Sequence, residues 1–270
     1  MNLSRSQKYT RTLENQTPRK TEYAGTTNER GTGETMTDLL SIPENYDLFS
    51  IACPHYDELQ TAVGGAVQDA ILKSAAAFSQ KFFLDIGCGL GDTTMAVRES
   101  CHPPFNFFVC ALDSNPAVMT KLEAPYLRDI LSIVSDALPF LERHGPNYFD
   151  CVYSAWTLHN FERDYRSNVL KEVCKVLKPT GTFVLADKIL PDSLEELRCA
   201  YVQQEEWFDV FDKIRRPDLK EAWRQHYLED LHPTKVWYDK EAVQDLKSAG
   251  FKDVKTKHVW GLERLIVAKK

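Results

Sequence analysis

Short apolar runs alternate with amphipathic segments through the middle of the chain. Five runs between residues 81 and 189 are apolar almost throughout, and we predict them to be strands: KFFLDI, FNFFVCALD, ILSIVSD, FDCVYSAW and GTFVLADKI. Three segments between them are predicted helices: DTTMAVRES, NPAVMTKLEA and ERDYRSNVLKEVCKVLK. Nearly uninterrupted apolar strands separated by helices are typical of a parallel sheet covered on both faces.

The pattern changes after the fifth predicted strand. Residues 192–235 contain two predicted helices with no strand between them, and we predict that they form an inserted helical lid. A helix ending near Gly250 follows, and then two strands separated only by Gly261 and Leu262, a spacing that favours an antiparallel hairpin. The predicted fold is a doubly wound α/β domain. Its seven-stranded, mostly parallel, Rossmann-like sheet has an antiparallel last strand.

The N-terminal part of the chain differs from the rest in composition. Residues 1–38 contain few large apolar side chains, so we expect residues 1–40 to form either a disordered tail or a segment that becomes ordered over a ligand. Residues 42–80 have helical character, interrupted at Pro54. The folded domain is therefore expected to span residues 41–270.

Composition narrows the class of protein. The chain has 270 residues, 43% hydrophobic and 27% charged, with a formal net charge of −6, which argues against a nucleic-acid partner. No apolar run reaches the roughly 18 residues of a membrane span and no signal peptide is apparent, so we expect a cytoplasmic location. The seven cysteines form no CxxC pair, and we predict no metal site from them. Whether the chain forms a homodimer is left open.

Candidate chemistry begins at the stretch FFLDIGCGLGDTT, residues 82–94. Gly87, Gly89 and Gly91 follow the first strand in a turn where glycine allows the backbone to approach a ligand closely. The spacing G-x-G-x-G brings the third glycine one residue earlier than in the dinucleotide fingerprint. Asp85 just before the turn would disfavour a pyrophosphate and favour an ammonium group, which points to a nucleoside linked to an amino acid.

Acidic residues also follow the next two strands. Asp113 ends the second strand, where a carboxylate can accept hydrogen bonds from ribose hydroxyls. Asp136 ends the third strand, where it can bind the exocyclic amine of an adenine. Ser154, Ala155 and Trp156 end the fourth strand. The carboxyl ends of parallel strands form the ligand-binding edge of such sheets, so we predict one site there.

These motifs resemble those of class I S-adenosylmethionine-dependent methyltransferases. The matching stretches are LDIGCGLGDTT, ALDSNPAV, SDALPF and KVLKPTGTFVLADKI, and the resemblance extends over residues 82–190 by motif and 240–270 by topology. It implies S-adenosylmethionine as cofactor, with Asp85 and Gly87 near the methionine end, Asp113 on the ribose, and Asp136 and Ala137 at the adenine. The full set of expected cofactor contacts is Tyr56, Asp85, Gly87, Gly89, Asp113, Ser114, Asp136, Ala137 and Ala155.

A narrower resemblance concerns the flanks of this region. CPHY, LADKI before the helical pair, and DLKSAGF are similar in layout to carboxy-S-adenosylmethionine synthases. That resemblance implies a cofactor contact from Tyr56 and a carboxylate-binding role for Arg224. The asparagine that this group carries on strand four corresponds to Ala155 here, which favours ordinary methyl transfer.

Four functions compete on these observations. We favour a methyltransferase acting on a small molecule, in which Tyr56, His159 and Arg224 are the candidate catalytic residues and His159 is a general base or substrate ligand. The first alternative is an enzyme that uses the same cofactor without ordinary methyl transfer, by carboxylating it or by closing a ring and releasing methylthioadenosine. The others are an NAD-dependent oxidoreductase and a non-catalytic cofactor-binding subunit. Aromatic residues of the lid could contact a sulfonium or could simply pack on the sheet.

Overall fold

The structure is a computed structural model that describes residues 39–40, 42–73, 79–101, 106–118, 122 and 128–270. The predicted N-terminal tail lies outside the described residues, apart from Leu39 and Leu40.

A seven-stranded sheet forms the centre of the domain. Its strands lie in the order β3-β2-β1-β4-β5-β7-β6, and β7 runs antiparallel to both of its neighbours. The other pairings are parallel. This arrangement confirms the predicted fold class. The strands are β1 Lys81–Ile86, β2 Phe107–Asp113, β3 Ile130–Val134, β4 Phe149–Ala155, β5 Leu177–Lys188, β6 Lys252–Trp260 and β7 Glu263–Lys269.

Helices cover both faces of this sheet. One face packs mainly against α2 and α3, through residues such as Leu59, Val63 and Val97, and the other against α4, α5 and α8. Burial on both faces explains why β1, β2 and β4 are apolar almost throughout. The helices are α1 Pro43–Asp47, α2 Tyr56–Leu72, α3 Asp92–Cys101, α4 Ala137–Glu142, α5 Arg163–Val176, α6 Leu194–Lys213, α7 Pro217–Glu229 and α8 Asp239–Ser248, with 3-10 turns at Leu48–Ile51 and Leu158–Asn160.

The helical pair α6 and α7 occupies the predicted insertion. Together with the segment around α1 it forms a third apolar cluster at the carboxyl ends of the strands, and Phe49, Phe208, Phe211 and Trp223 are buried in it. The Ser193 hydroxyl caps α6 by accepting a hydrogen bond from the Glu196 amide at 3.3 Å. The pair therefore has a core of its own beside the ligand-binding edge of the sheet.

The chain leaves the helical pair beside α5. The fully buried Arg166 donates to the carbonyl oxygen of Lys235 at 2.7 Å, and its guanidinium lies 4.4 Å from the centre of the Trp237 ring. Leu190 and Tyr238 form an isolated parallel bridge at the same level. These contacts attach the end of the insertion to the sheet domain.

The last two strands form the predicted antiparallel hairpin. Gly261 adopts a φ of 51° in its turn, and glycine adopts this left-handed conformation without steric cost. The turn places Glu263 and Arg264 at the start of β7, opposite the end of β5.

Three segments differ from their predicted structure. Residues 116–118 form a turn rather than the start of a helix, and most of the remaining predicted helix lies outside the described residues. Helix α4 was not predicted, because its six residues are too few to establish a helical period. Strand β5 begins at Leu177, within the predicted end of α5. Within the described parts of the chain, every helix is too short or too polar to cross a lipid bilayer.

Candidate active site

The glycine turn joins β1 to α3 in a backbone conformation that side chains disfavour. Gly87, Gly89 and Gly91 have φ values of 70°, 51° and 90°. A Cβ atom at Gly87 would lie 2.2 Å from Thr157, and one at Gly91 would lie 2.3 Å from Leu122. A Cβ at Gly89 would meet no described atom closer than 3.9 Å. Gly87 and Gly91 are thus required by packing, whereas Gly89 leaves its backbone accessible from the cleft.

Asp113 holds this turn against the end of β2. One carboxylate oxygen accepts a hydrogen bond from the Gly89 amide and the other accepts one from the Asn115 amide, both at 2.9 Å. Each oxygen has two lone pairs, so both can still accept a further bond from a ligand. Asp113 and Ser114 line the cleft, which agrees with their predicted position.

Asp136 and Ala137 lie where β3 meets α4 and line the same part of the cleft. Asp136 occupies the N-cap position of α4, yet its side chain makes no capping hydrogen bond within the described structure. The carboxylate is therefore available to a ligand, as required for binding an exocyclic amine. Tyr165 adds an aromatic wall there, and its hydroxyl accepts a hydrogen bond from the Leu138 amide at 3.0 Å.

Two adjoining cavities make up the cleft. One, of about 440 Å³, extends from the glycine turn towards Asp136, and the other, of about 510 Å³, extends from the same turn towards α7. Together they have the size of a site for a nucleoside cofactor and a second small molecule. The residues that line both are Leu40, Tyr46, Gly87, Gly89, Ser114, Asn115, Trp156 and Asn160.

Aromatic side chains form the wall of the larger cavity. Tyr56 and Trp156 stack with their ring centres 5.0 Å apart, and Phe49 and Trp223 lie 4.5 Å apart. The Tyr56 hydroxyl also donates to Asp92 at 2.9 Å. Tyr56 and Ala155 both line this cavity, and a planar or cationic group in it would be enclosed by ring faces.

Tyr46 belongs to the same wall. Burial, followed by the charges of Asp113 and Asp92, raises the pKa of Tyr46 to about 12. The phenol consequently stays neutral and can donate a hydrogen bond into the cleft.

Asp85 lies beneath the turn rather than in the cleft. The side chain is fully buried, and one carboxylate oxygen accepts a hydrogen bond from the Thr94 hydroxyl at 2.5 Å. The other oxygen has no partner among the described residues. Burial raises the pKa of Asp85 to about 7, although the bond from Thr94 opposes this rise. The structure therefore does not bring Asp85 to a position for direct contact with an ammonium group.

His159 forms a dyad with a residue that the sequence analysis did not single out. Its Nδ1 lies 2.5 Å from Oδ1 of Asp187, and both side chains are buried. The second oxygen of Asp187 accepts from the backbone amides of Leu158 and His159. This fixes the imidazole with Nδ1–H towards Asp187 and leaves Nε2 as the atom able to accept a proton. His159 also lines the larger cavity.

A buried ion pair lies beside this dyad. The Lys188 ammonium group contacts the Asp230 carboxylate and lies 3.3 Å from the centre of the Tyr227 ring. Burial would raise the pKa of Asp230, but the charge of Lys188 outweighs it, so this pKa lies below its usual value. His226 is close by, and burial together with Lys188 lowers its pKa to about 3, so it stays neutral. The cavity thus ends in one paired cation and two imidazole rings.

Arg224 is one residue that the structure does not bring to the cleft. It lies on the exposed face of α7, where its guanidinium pairs with Glu205 and Glu221. The neighbouring residues Trp223, Gln225 and His226 line the cavity instead. Lys188, one residue after Asp187, also lines that cavity. The rule that polar residues at strand ends form the site would have identified both at the end of β5.

Comparisons with known proteins find methyltransferases. Residues 83–181 match the family described as "Methyltransferase domain". A demethylmenaquinone methyltransferase of Lactobacillus johnsonii is 30% identical over 153 residues, 52% of this chain and 59% of the relative. A ubiquinone/menaquinone biosynthesis C-methyltransferase of Blochmanniella floridana is 28% identical over 183 residues, 63% of this chain and 65% of the relative. The chain thus spans less than two thirds of the length of either relative.

Solved structures share the fold at low sequence identity. The CurJ carbon methyltransferase has a TM-score of 0.61 at 18% identity, covering 86% of this chain and 60% of that one. A Burkholderia thailandensis 1,6-didemethyltoxoflavin-N1-methyltransferase, solved with bound 1,6-didemethyltoxoflavin and S-adenosylhomocysteine, has a TM-score of 0.53 at 17% identity. The match covers 87% of this chain and 86% of that one. At these identities the likeness establishes the fold alone.

Proposed function

We propose that this chain, which carries a class I S-adenosylmethionine-dependent methyltransferase domain, transfers a methyl group to a small-molecule acceptor. The observation that carries the proposal is the pair of cavities that meet at the glycine turn. One is bordered by strand-end carboxylates and the other ends at a histidine held by a carboxylate. A nucleoside cofactor and an acceptor would meet where the two cavities join.

The residues of the smaller cavity fit the cofactor. Asp113 would accept from the ribose hydroxyls, Asp136 from the adenine amine, and the backbone at Gly89 would lie against the ligand without obstruction. Tyr56 and Trp156 would enclose the sulfonium side with aromatic faces. S-adenosylmethionine supplies, when bound, an electrophilic methyl group. The residues around it provide orientation, which is a major source of rate in such a transfer.

His159 is the candidate proton acceptor for an acceptor molecule that must lose a proton. Asp187 orients the imidazole and stabilises the positive charge that the ring gains when Nε2 takes up the proton. The Asp230 carboxylate lies 3.8 Å from Nε2 and would also favour that charge. Lys188 keeps the Asp230 charge compensated while His159 is neutral.

The shape and lining of the larger cavity favour a planar acceptor. Phe49, Tyr56, Trp156 and Trp223 supply ring faces, and polar groups occur at the end near His159. Two relatives are named for methylation in menaquinone or ubiquinone biosynthesis, and the acceptors of that chemistry are flat rings. We therefore extend the proposal to an aromatic or quinone-like acceptor.

Product analysis with labelled S-adenosylmethionine tests the proposal. The purified chain, incubated with a pool of small aromatic metabolites, is expected to release S-adenosylhomocysteine in an amount equal to the methyl group found in a new product. Methylthioadenosine or a carboxylated cofactor in place of S-adenosylhomocysteine would mean a different use of the cofactor. Asp113→Ala, treated in parallel at a cofactor concentration near the wild-type Kd, should form much less S-adenosylhomocysteine and much less methylated product. Absence of all these products would contradict enzymatic function.

A further inference from the structure

Three potential metal ligands meet where the start of β7, opposite the end of β5, contacts the segment before α2. They are Cys53 after the first 3-10 turn, His55 at the start of α2, and Glu263 at the start of β7. All three are buried, and each offers a ligand atom within 4.8 Å of the other two. The His55 Nε2 atom lies 3.0 Å from Oε2 of Glu263.

Glu263 is incompletely partnered for a carboxylate with no solvent exposure. One oxygen contacts His55, and the other has no hydrogen-bond partner in the described part of the chain. Desolvating a carboxylate is costly unless its oxygens are paired or coordinate a metal. Apolar rings close the site from two sides, because the centres of Trp207 and Trp260 lie 5.4 Å and 6.1 Å from that of His55.

We propose that Cys53, His55 and Glu263 bind a zinc ion. A thiolate, an imidazole and a carboxylate are the ligand types that Zn²⁺ uses, with bonds of about 2.3, 2.0 and 2.0–2.2 Å. Those lengths place tetrahedral ligand atoms about 3.3–3.6 Å apart, and the three side chains would supply three of the four positions, with a water molecule in the fourth. The Cys53 thiol releases its proton to solvent when the S–Zn bond forms, and the ion offsets the charges of the thiolate and carboxylate. One proline separates Cys53 from His55 in the sequence, and Glu263 lies 208 residues after His55. A search for paired cysteines therefore does not find this site.

A second cluster, His159, His226 and Asp230, has similar ligand atoms, but a cation lies against it. The Lys188 ammonium group is in contact with Asp230 and would repel a divalent cation. Zinc should therefore select Cys53, His55 and Glu263.

The proposed ion would link the wall of the larger cavity to the C-terminal hairpin. His55 is followed directly by Tyr56, and Cys53 lies shortly after Phe49, so two wall residues flank the ligands. Zinc would therefore restrict the segment that closes the cavity, in addition to the aromatic contacts that already hold it. This role does not depend on methyl transfer.

Metal uptake by the full chain tests the proposal. Chelator-treated protein is dialysed against Zn²⁺, and bound metal is measured by mass spectrometry together with the thermal midpoint. We expect about one equivalent of zinc and a higher midpoint. Cys53→Ser and Glu263→Gln should bind zinc at least about tenfold more weakly. Thermal melting of each variant without metal establishes that it is folded.

Co²⁺ replaces Zn²⁺ in a second measurement, because a cobalt–thiolate bond gives a charge-transfer absorption band. The band is expected in the wild-type chain and in Cys199→Ser, the matched control at an exposed cysteine, and should be absent from Cys53→Ser. Failure of the folded wild-type chain to take up zinc would overturn the proposal. So would zinc binding that survives Cys53→Ser but is lost in His226→Gln, since the metal would then occupy the second cluster.

Discussion

Individual side chains at the strand ends divide the work of the site. His159 and Asp187 come from the ends of β4 and β5, and the contact between them fixes the orientation of the imidazole. Asp113 instead bonds the backbone of the glycine turn, so it supports the turn as well as offering its oxygens to a ligand. Carboxylates near strand ends thus have different roles, because their hydrogen-bond partners differ: backbone amides for Asp113 and an imidazole for Asp187.

Replacing His159 with Gln should lower kcat by about 10²–10⁴-fold if the acceptor loses a proton, because a positioned base contributes rates of that order. Cofactor affinity should remain close to that of the wild-type chain, since His159 lines the cavity on the acceptor side. Steady-state kinetics and calorimetry with S-adenosylhomocysteine measure the two effects separately.

Asp187→Asn is the companion variant, because it keeps the side-chain shape but removes the negative charge next to the imidazole. Like the change at His159, it should lower kcat with little change in cofactor affinity. A rate unchanged in both variants would mean that the acceptor needs no protein base.

Asp85 makes the free energy of unfolding depend on pH. Its usual pKa is 3.8 and burial raises it to about 7 in the folded chain. The native state therefore favours the protonated carboxyl, and the stability this contributes is present below pH 4 and is lost as pH rises towards 7. The difference in pKa corresponds to about 4 kcal/mol. Asp85→Asn should remove this part of the pH dependence.

Denaturant unfolding of both proteins between pH 4 and pH 8 measures the effect. Asp85→Asn should gain stability relative to the wild-type chain as pH rises, with no further gain above about pH 8. Asp69→Asn is the control, because Asp69 is exposed on α2 and pairs only with nearby Lys73 in the described structure. Parallel curves for Asp85→Asn and the wild-type chain would contradict the assignment.

Strand-end positions were predictable from sequence, whereas the direction of each side chain was not. The apolar runs located Asp113 and Asp136 correctly at the edge of the sheet, and both line the cleft. Asp85 lies inside β1, where successive side chains point to opposite faces of the sheet. Its side chain lies beneath the glycine turn and contacts Thr94. Arg224 could not be oriented, because one residue along a helix changes its direction by about 100°.

At the scale of elements, the attachment of α7 to β5 controls the acceptor side of the cleft. Asp230 follows the end of α7, and Lys188 ends β5. Their contact is buried, together with the ring of Tyr227. Since the same helix carries Trp223 and His226 into the cavity, this ion pair fixes the position of part of the cavity wall.

Breaking this pair should destabilise the chain strongly. Lys188→Met or Asp230→Leu alone leaves a buried charge without its partner and should cost about 3–5 kcal/mol of unfolding free energy. The double variant should lose less than the sum of the two. Lys220→Met, which removes exposed pairs with Asp209 and Asp212, is the control and should leave the unfolding free energy nearly unchanged. Additive losses in a denaturant double-mutant cycle would rule out direct coupling.

Long periodic elements could be predicted, and short ones could not. The helices now assigned as α5 to α8 have clear amphipathic patterns and occur where they were expected. Helix α4 has one and a half turns and includes Pro139, so local pattern does not distinguish it from a loop. It forms because Phe140 and Leu141 are buried against the sheet.

For the whole molecule, the two cavities and the sheet edge act as one binding unit. Ligand that binds the native chain stabilises all of it by mass action. The mostly parallel sheet and its antiparallel last strand were predictable from the alternation of elements. The joining of the cavities was not, because it depends on how α1, α2 and α7 meet over the cleft.

S-adenosylhomocysteine at 100 times its Kd should stabilise the chain by about 2.7 kcal/mol and raise the thermal midpoint by about 5–10 °C. A nicotinamide dinucleotide should have no effect. Asp113→Ala should bind about 10–100-fold more weakly, because charge-assisted hydrogen bonds are lost. Asp129→Ala removes a carboxylate that pairs with Arg98 away from the cleft and is the control. Equal shifts for both nucleotides would refute cofactor selectivity.

The close fit between Gly87 and Thr157 limits how this protein can change. Thr157 donates from its hydroxyl to the Gly87 carbonyl oxygen at 3.1 Å and occupies the space that any larger residue at position 87 would need. The floor beneath the nucleoside and the loop leading to His159 are therefore interlocked. New acceptor preferences should arise mainly on the helical side of the cleft, where a residue can be exchanged without disturbing that joint.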